Sequence, residues 1–497
     1  MSGRMGRAAC LVLLAALPFA LYGVNLDDYF VGDDFDFLVS MHEKPASYFW
    51  QRLYANESGD VWKDAGFDDA QGHGYLRPVK IWLLKANQVV SGTDPFGYHL
   101  TSTLVFSGLA IALFLLVEEL LPGRRALALW VAGAAALHPT FAEIVPFITA
   151  RDEALATLFA LLAIRGWVRF RTGGRSPWVF VGFYALALLS KESAFPVAGI
   201  AVGYDLVHGH LDLRSDAGRR ALLRAHLPTA LLLAAYFTLR FIAFGNFKGG
   251  DTAETTFTSF DAFLRFHAWF FRSLLAPSQL AVPWPGVFAA GVLLAAATAF
   301  ARIWRGDDRA PWLRRLAFAG PVWYVGSTAL LHGTYFTTRH HGMAVIGLLL
   351  LLATLLAAVT ERWKPARQWA LCVGLLVASA GAFAPPTVAL ARAYDAAAGV
   401  TERTRRAIDE HTRDLPDGCR VKILNAPQWT ERPWYFGWGL RSALMRPFTP
   451  GDLANRCLVY NERNVALTKA KITPPERFDR VLDVGTRTTR SPAPPRR

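Results

Sequence analysis

The chain has 497 residues, 53% apolar and 19% charged, and its mean hydropathy of +0.24 excludes an ordinary soluble protein. A net charge of +14 would point to nucleic acid in a soluble chain, but most of the arginine lies in short loops between apolar runs. That is the pattern of positive-inside membrane topology. There is no P-loop, no CxxC and no zinc-ligand spacing.

Apolar runs long enough, or nearly long enough, to span a bilayer lie at 8–24, 100–120, 126–139, 147–168, 177–190, 194–208, 225–244, 286–304, 313–331, 342–360 and 367–384. They predict about eleven transmembrane helices. The first run follows Arg4 and Arg7 and has no small-residue cleavage site after it, so it reads as an uncleaved span with the N-terminus inside. The connections at 121–124, 165–175, 208–224, 302–315 and 361–367 are Arg-rich and are assigned to the inner face. The segments 25–98, 140–146, 191–193, 245–285 and 332–341 fall outside, as does the tail 385–497. The expected architecture is an all-α polytopic membrane domain, 1–384, including the outer loop 25–98, followed by an extracytoplasmic module, 385–497. That module has VKIL (421–424) and RCLVY (456–460) as strands of a small α/β fold and a disordered end. Cys10 and Cys372 sit in apolar runs, whereas Cys419 and Cys457 lie in the polar tail and can pair if it is outside the cytoplasm. The segments 74–85 and 258–285 alternate aromatic or aliphatic residues with cations and read as interfacial.

The stretch NLDDYFVGDDFDF (25–37) places Asp27, Asp28, Asp33, Asp34 and Asp36 beside a membrane. Such a cluster is costly unless it holds a cation, a metal or a reacting group. The plain alternative is a solvated acidic loop. Five Asp in one loop admit a divalent metal, although no His is interleaved with them. Other polar groups fall at the same ends of the spans: Glu143, Arg151, Asp152 and Glu153 in HPTFAEIVPFITARDE, Lys191 and Glu192 in SKESAF, and Arg339, His340 and His341 in TYFTTRHHG. Arg77, in GYLRPVKIWLLK, and Arg240 add cations there. Each has a structural reading, an ion pair or a headgroup contact. Together they suit transfer from a lipid-phosphate donor, with a carboxylate taking the acceptor proton and cations stabilising the leaving phosphate.

In this order, FVGDDFDFL (30–38), YLRPVKIWLLKANQVVSGTDPFGYHLTSTLVF (75–106), LHPTFAEIVPFITARDEALATLF (137–159), LALLSKESAF (186–195) and FRSLLAPSQLAVPWP (271–285) resemble the membrane portion of the transmembrane-and-tetratricopeptide-repeat protein O-mannosyltransferases, of the GT-C class. The resemblance covers residues 1 to about 360. It implies a GT-C fold and an inverting glycosyltransferase, a mannosyltransferase in that family, with its site on the outer face. The donor would be a polyprenyl-phosphate sugar and the acceptor a hydroxyl on a protein or an envelope glycan or lipid. Asp34 is favoured as base with Asp33 orienting it; Arg77, Arg151, Lys191, Arg339 and His340 are expected at the donor phosphate; Glu143, Asp152 and Glu192 support them. The family's repeats are absent from this sequence, and its late Glu–Arg element reads Thr338–Arg339 here. The family does not settle metal use. The expected location is a bacterial inner membrane. The competing functions are a transporter or flippase for a lipid-linked glycan, and a non-catalytic protein of envelope assembly.

Overall fold

The computed structural model describes residues 6–42, 44–45, 47–51, 53, 75–173, 176–212, 215–245, 311–328, 341–427, 433–437, 439–461 and 477–485. Every expected apolar run overlaps a described helix except 286–304, which lies outside the described residues. The expected interfacial segment 258–285 lies outside them too.

Among the described residues, the α-helices of eight residues or more are α1 Arg7–Tyr22, α2 Asp34–Met41, α3 Pro78–Ser91, α4 Pro95–Leu120, α5 Arg125–Leu137, α6 Arg151–Gly173, α7 Trp178–Ser190, α8 Val197–His208, α9 Asp216–Phe244, α10 Gly342–Val359 and α11 Pro365–Glu410; shorter ones include Pro311–Ala317 and Trp323–Thr328. Among the described residues, five segments are long and apolar enough to cross a membrane: Arg7–Asn25, Pro95–Leu120, Asp216–Phe244, Gly342–Val359 and Pro365–Glu410. The Ala-rich α5 is buried from Ala126 to Leu137 and packs on α4, α10 and α11. Small side chains allow such close backbone approach where lipid offers no hydrophobic drive.

Helix starts follow local chemistry. Asp94 accepts a hydrogen bond from Phe96 N, and Pro95 opens α4. Arg77 precedes Pro78, which opens α3. The segment expected to be an interfacial helix is instead packed among α2, α4, α6 and α7. Its stripe Lys80, Ile81, Leu84 and Asn87 is buried, and the Lys80 ammonium lies 3.8 Å from the centre of the Phe37 ring. That contact holds the cation inside protein rather than among headgroups.

The boundary expected at 384/385 falls within α11, which continues through Pro385 and Pro386 to Glu410. Beyond it lies a three-stranded parallel sheet with β1 (Arg420–Leu424) between β2 (Leu458–Asn461) and β3 (Arg480–Asp483). Val421 and Ile423 of β1 are fully buried. A disulfide joins Cys419 to Cys457, just before β1 and β2. The sheet module reaches back to the acidic stretch. Gly32 N donates to Tyr435 O, and the Phe35 and Phe448 ring centres are 4.9 Å apart. Gly32 has φ +55°, and a Cβ on Gly439 would stand 2.2 Å from Gly32 O, so this approach of two backbones requires glycine.

The disulfide closes a separation of 38 residues. Paired Cys419→Ser and Cys457→Ser substitutions are expected to cost roughly 4 kcal/mol by loop-closure entropy. Faster proteolysis of the sheet module in the purified double variant, with the helical bundle still protected, is the check.

Candidate functional site

Burial decides the roles within the acidic stretch. Asp27 is exposed and Asp33 is intermediate, whereas Asp28, Asp34 and Asp36 are buried. Asp34, 1% exposed at the start of α2, accepts hydrogen bonds on Oδ1 from Thr149 N (2.9 Å) and on Oδ2 from Val31 N (3.3 Å). The first bond ties the acidic stretch to the turn before α6. Burial pushes the Asp34 carboxyl up to about 7, against the pull of those amides. Asp36 accepts from Ser442 Oγ of the sheet module, and its buried Oδ2 has no hydrogen-bond partner among the described residues. Burial, then the charge of Asp33, pushes Asp36 to about 8. Asp28 lies one residue from the stretch's aromatic core. It accepts from Asn25 Nδ2 at 2.6 Å, and its carbonyl accepts from His99 Nε2 at 3.0 Å.

Arg151 is wholly buried at the start of α6. Its Nε donates to Ser102 Oγ (3.0 Å), Nη1 to Asn87 Oδ1 (2.6 Å) and Nη2 to Tyr98 O (2.6 Å). All three partners are neutral, so among the described residues its positive charge has no direct ion pair, and it acts on the nearby Asp34.

A second cluster joins three connections at the same end of the bundle. Arg77 holds Glu192 with Nε (3.1 Å) and Nη2, and donates from Nη1 to Asp152 Oδ2 at 2.7 Å. Its guanidinium lies 4.0 Å from the centre of the Tyr75 ring. Lys191 Nζ stands 3.0 Å from Glu153 Oε2 and 3.6 Å from Asp152 Oδ1. Burial alone would raise the Glu192 carboxyl, but the paired Arg77 holds it at about 2. Two cations thus face three carboxylates. The Glu192 side chain, 32% exposed, is the most open of the set. Arg240 is buried near the C-terminal end of α9, its guanidinium 5.1 Å from the Phe244 ring centre.

The structure therefore gathers Arg77, Asp152, Lys191 and Glu192 from the residues singled out in sequence, and links Asp34 to the turn that leads into Arg151. Glu143 is buried in that same turn region. Arg339 and His340 lie outside the described residues, whereas the adjacent His341 is buried. Sequence reasoning missed Asn87, Ser102 and Ser442. Asn87 carried a signal, since it continues the stripe of Lys80, Ile81 and Leu84 at helical spacing. Ser442 carried none. Among the described residues no three His, Cys, Asp or Glu are arranged to hold a metal, and both Asp34 oxygens are occupied by backbone amides. No step is routed through a metal here.

No family model matches the chain. It is similar to Protein O-mannosyl-transferase TMTC1 of Mus musculus, 28% identical over 212 residues, which are 40% of this chain and 22% of that protein. The Homo sapiens TMTC1 is also 28% identical, over 40% of this chain and 24% of its own length. Homo sapiens TMTC4 is 24% identical over 39% of this chain and 29% of its own. The chain thus spans less than a third of the length of these relatives. Among solved structures, ArnT from Cupriavidus metallidurans, bound to undecaprenyl phosphate, aligns with 82% of this chain and 73% of its own at 16% identity and TM-score 0.43. The chain resembles the O-mannosyl-transferases, in keeping with its ordered motifs.

Breaking a buried charge pair leaves an uncompensated charge. Arg77→Ala is therefore expected to cost about 3–5 kcal/mol, and adding Asp152→Asn should recover part of that loss. Thermal unfolding of the purified single and double variants checks it. The pH dependence has a definite sign. Asp36 keeps its proton in the folded state until about 8. An unfolded carboxylate releases it near pH 4, so stability falls as pH rises from about 4 to about 8. Asp36→Asn, which preserves an acceptor for Ser442, should flatten the fall of unfolding temperature across that range.

Proposed function

We propose that this chain is an integral-membrane glycosyltransferase that moves a sugar from a polyprenyl-phosphate donor to an acceptor hydroxyl at the outer face of a bacterial inner membrane. The observation that carries the reading is the hydrogen bond from Thr149 N to Asp34. It sets a carboxylate-rich turn against the beginning of α6, where Arg151 and the Arg77–Lys191 cluster begin. Similarity to the O-mannosyl-transferases supports the same chemistry.

Exposure favours Asp33 over Asp34 for the base, the reverse of the order favoured from sequence. A base must reach the acceptor proton, and Asp34 is enclosed with both oxygens engaged. In this reading Asp34 positions the Asp33 backbone, and Arg151 maintains positive potential behind it. The acceptor oxygen attacks the anomeric carbon as its proton passes to Asp33. The carbon–oxygen bond to phosphate breaks, and the polyprenyl phosphate departs with the bonding electrons. A single displacement inverts the anomeric centre.

Arg77 and Lys191 are already paired, so they do not present bare cations to a phosphate. The open carboxylate, Glu192, is the partner that a donor phosphate exchanges with on Arg77. The exchange matches bidentate geometry on both sides. Arg339 and His340 complete the proposed phosphate contacts, and Glu143 supports the turn.

Replacing the gene in its host by Asp33→Asn is expected to slow transfer about 10²- to 10⁴-fold. Mass spectrometry of lipid extracts should then show a polyprenyl-phosphate monosaccharide accumulating, with the protein present at wild-type level. Unchanged lipids and full complementation by Asp33→Asn would overturn the reading.

A further inference from the structure

Beside the acidic stretch lies a cleft of about 390 Å³ that the transfer mechanism does not use. Its walls come from three separate parts of the chain: Asp27 and Tyr29 of the first connection, Thr93 and Asp94 before α4, and the α11 extension with Phe448 of the sheet module. Its volume is that of a small-molecule site. Arg405 forms the buried part of the wall. It is 8% exposed, its Nη1 donates to Phe448 O at 2.7 Å, and its guanidinium lies 5.6 Å from the Tyr29 ring centre. Its Nε is buried with no hydrogen-bond partner among the described residues. A buried donor left unsatisfied carries a desolvation cost that a ligand hydroxyl would relieve.

The lining chemistry narrows the ligand. Two guanidinium groups, Arg405 and Arg406, share the lining with three carboxylates, Asp27, Asp94 and Glu402, of which Glu402 is paired with Arg406. The net negative balance disfavours a phosphate or other anion, and the density of charge disfavours an apolar chain. A lining that holds both donors and acceptors suits a neutral ligand that offers both on adjacent atoms. Tyr29 and Phe448, with ring centres 6.4 Å apart, add apolar surface of the kind that covers a sugar's C–H face. No strand edge is among the lining residues, and a peptide would need one for backbone pairing.

We propose that this cleft, beside the acidic stretch, is a saccharide subsite that holds the glycan portion of the acceptor. The proposal rests on the transferase reading only in calling the ligand an acceptor; the binding itself is independent of turnover. It makes the sheet module part of substrate selection, because Phe448 closes the cleft.

The test uses the full chain in lipid nanodiscs and saturation-transfer NMR with neutral trisaccharides of glucose, galactose or mannose. Thr93 is exposed, so Thr93→Trp fills the cleft without removing an internal contact. At least one trisaccharide is expected to bind wild type, to lose at least about tenfold in affinity in Thr93→Trp, equivalent to about 1.4 kcal/mol, and to keep its affinity in Asp33→Asn. A Thr-containing peptide should not displace it. The proposal falls if no trisaccharide binds folded wild type, if Thr93→Trp leaves binding unchanged, or if the peptide displaces the sugar. Saccharide binding that depends on the cleft, together with full complementation by Asp33→Asn, would sustain the subsite and overturn the transferase.

Discussion

A buried carboxylate has to be met by donors, and Asp34 is met by the backbone. Its two oxygens take the amides of Val31 and Thr149. One of these partners is local and the other belongs to the turn entering α6. The acidic stretch is therefore tied to the turn that leads into α6. Asp34 is enclosed, and the adjacent Asp33 is only partly so. The cost of burial appears as a carboxyl whose proton is held to about 7.

The same end of the bundle contains two different treatments of cationic charge. Arg151 is surrounded by neutral acceptors from α3 and α4, which fix its geometry without cancelling its charge. Arg77 and Lys191 are cancelled by carboxylates from α6 and the connection before α8. A buried ion cluster is weak evidence for stability by itself, because desolvation offsets attraction. Its effect is to lock three connections into one register. Glu192 is the most open member of the cluster, although Arg77 holds it through two nitrogens.

The sheet module is not an appendage. Ser442 reaches Asp36, Tyr435 O accepts from Gly32, and Phe436 and Phe448 join the aromatic cluster of Phe30 and Phe35. The acidic stretch is thereby held between the helical bundle and the module. The cleft lined by Arg405 is a product of that arrangement, since no one element supplies its walls.

The sequence by itself determined the helical membrane character, the placing of the expected runs that fall on described helices, the strand candidates at 421–424 and 456–460, and the concentration of charge at one end of the spans. These follow from local hydropathy and from charge patterns that neighbouring residues decide. The ordered motifs also carried the resemblance that similarity to the O-mannosyl-transferases supports. The tertiary structure decided which charges are paired. Glu192 lies 115 residues from Arg77, and Ser442 lies 406 from Asp36, separations at which sequence spacing carries no geometric information. It also decided that α3 is embedded rather than interfacial, that α11 runs past residue 385, and that Cys419 meets Cys457. An amphipathic stripe reports that one helix face is apolar, but not whether lipid or protein covers it. The exposure difference between adjacent Asp33 and Asp34 has the same origin. Two identical side chains one residue apart point to different surroundings, and only the packed neighbours distinguish them.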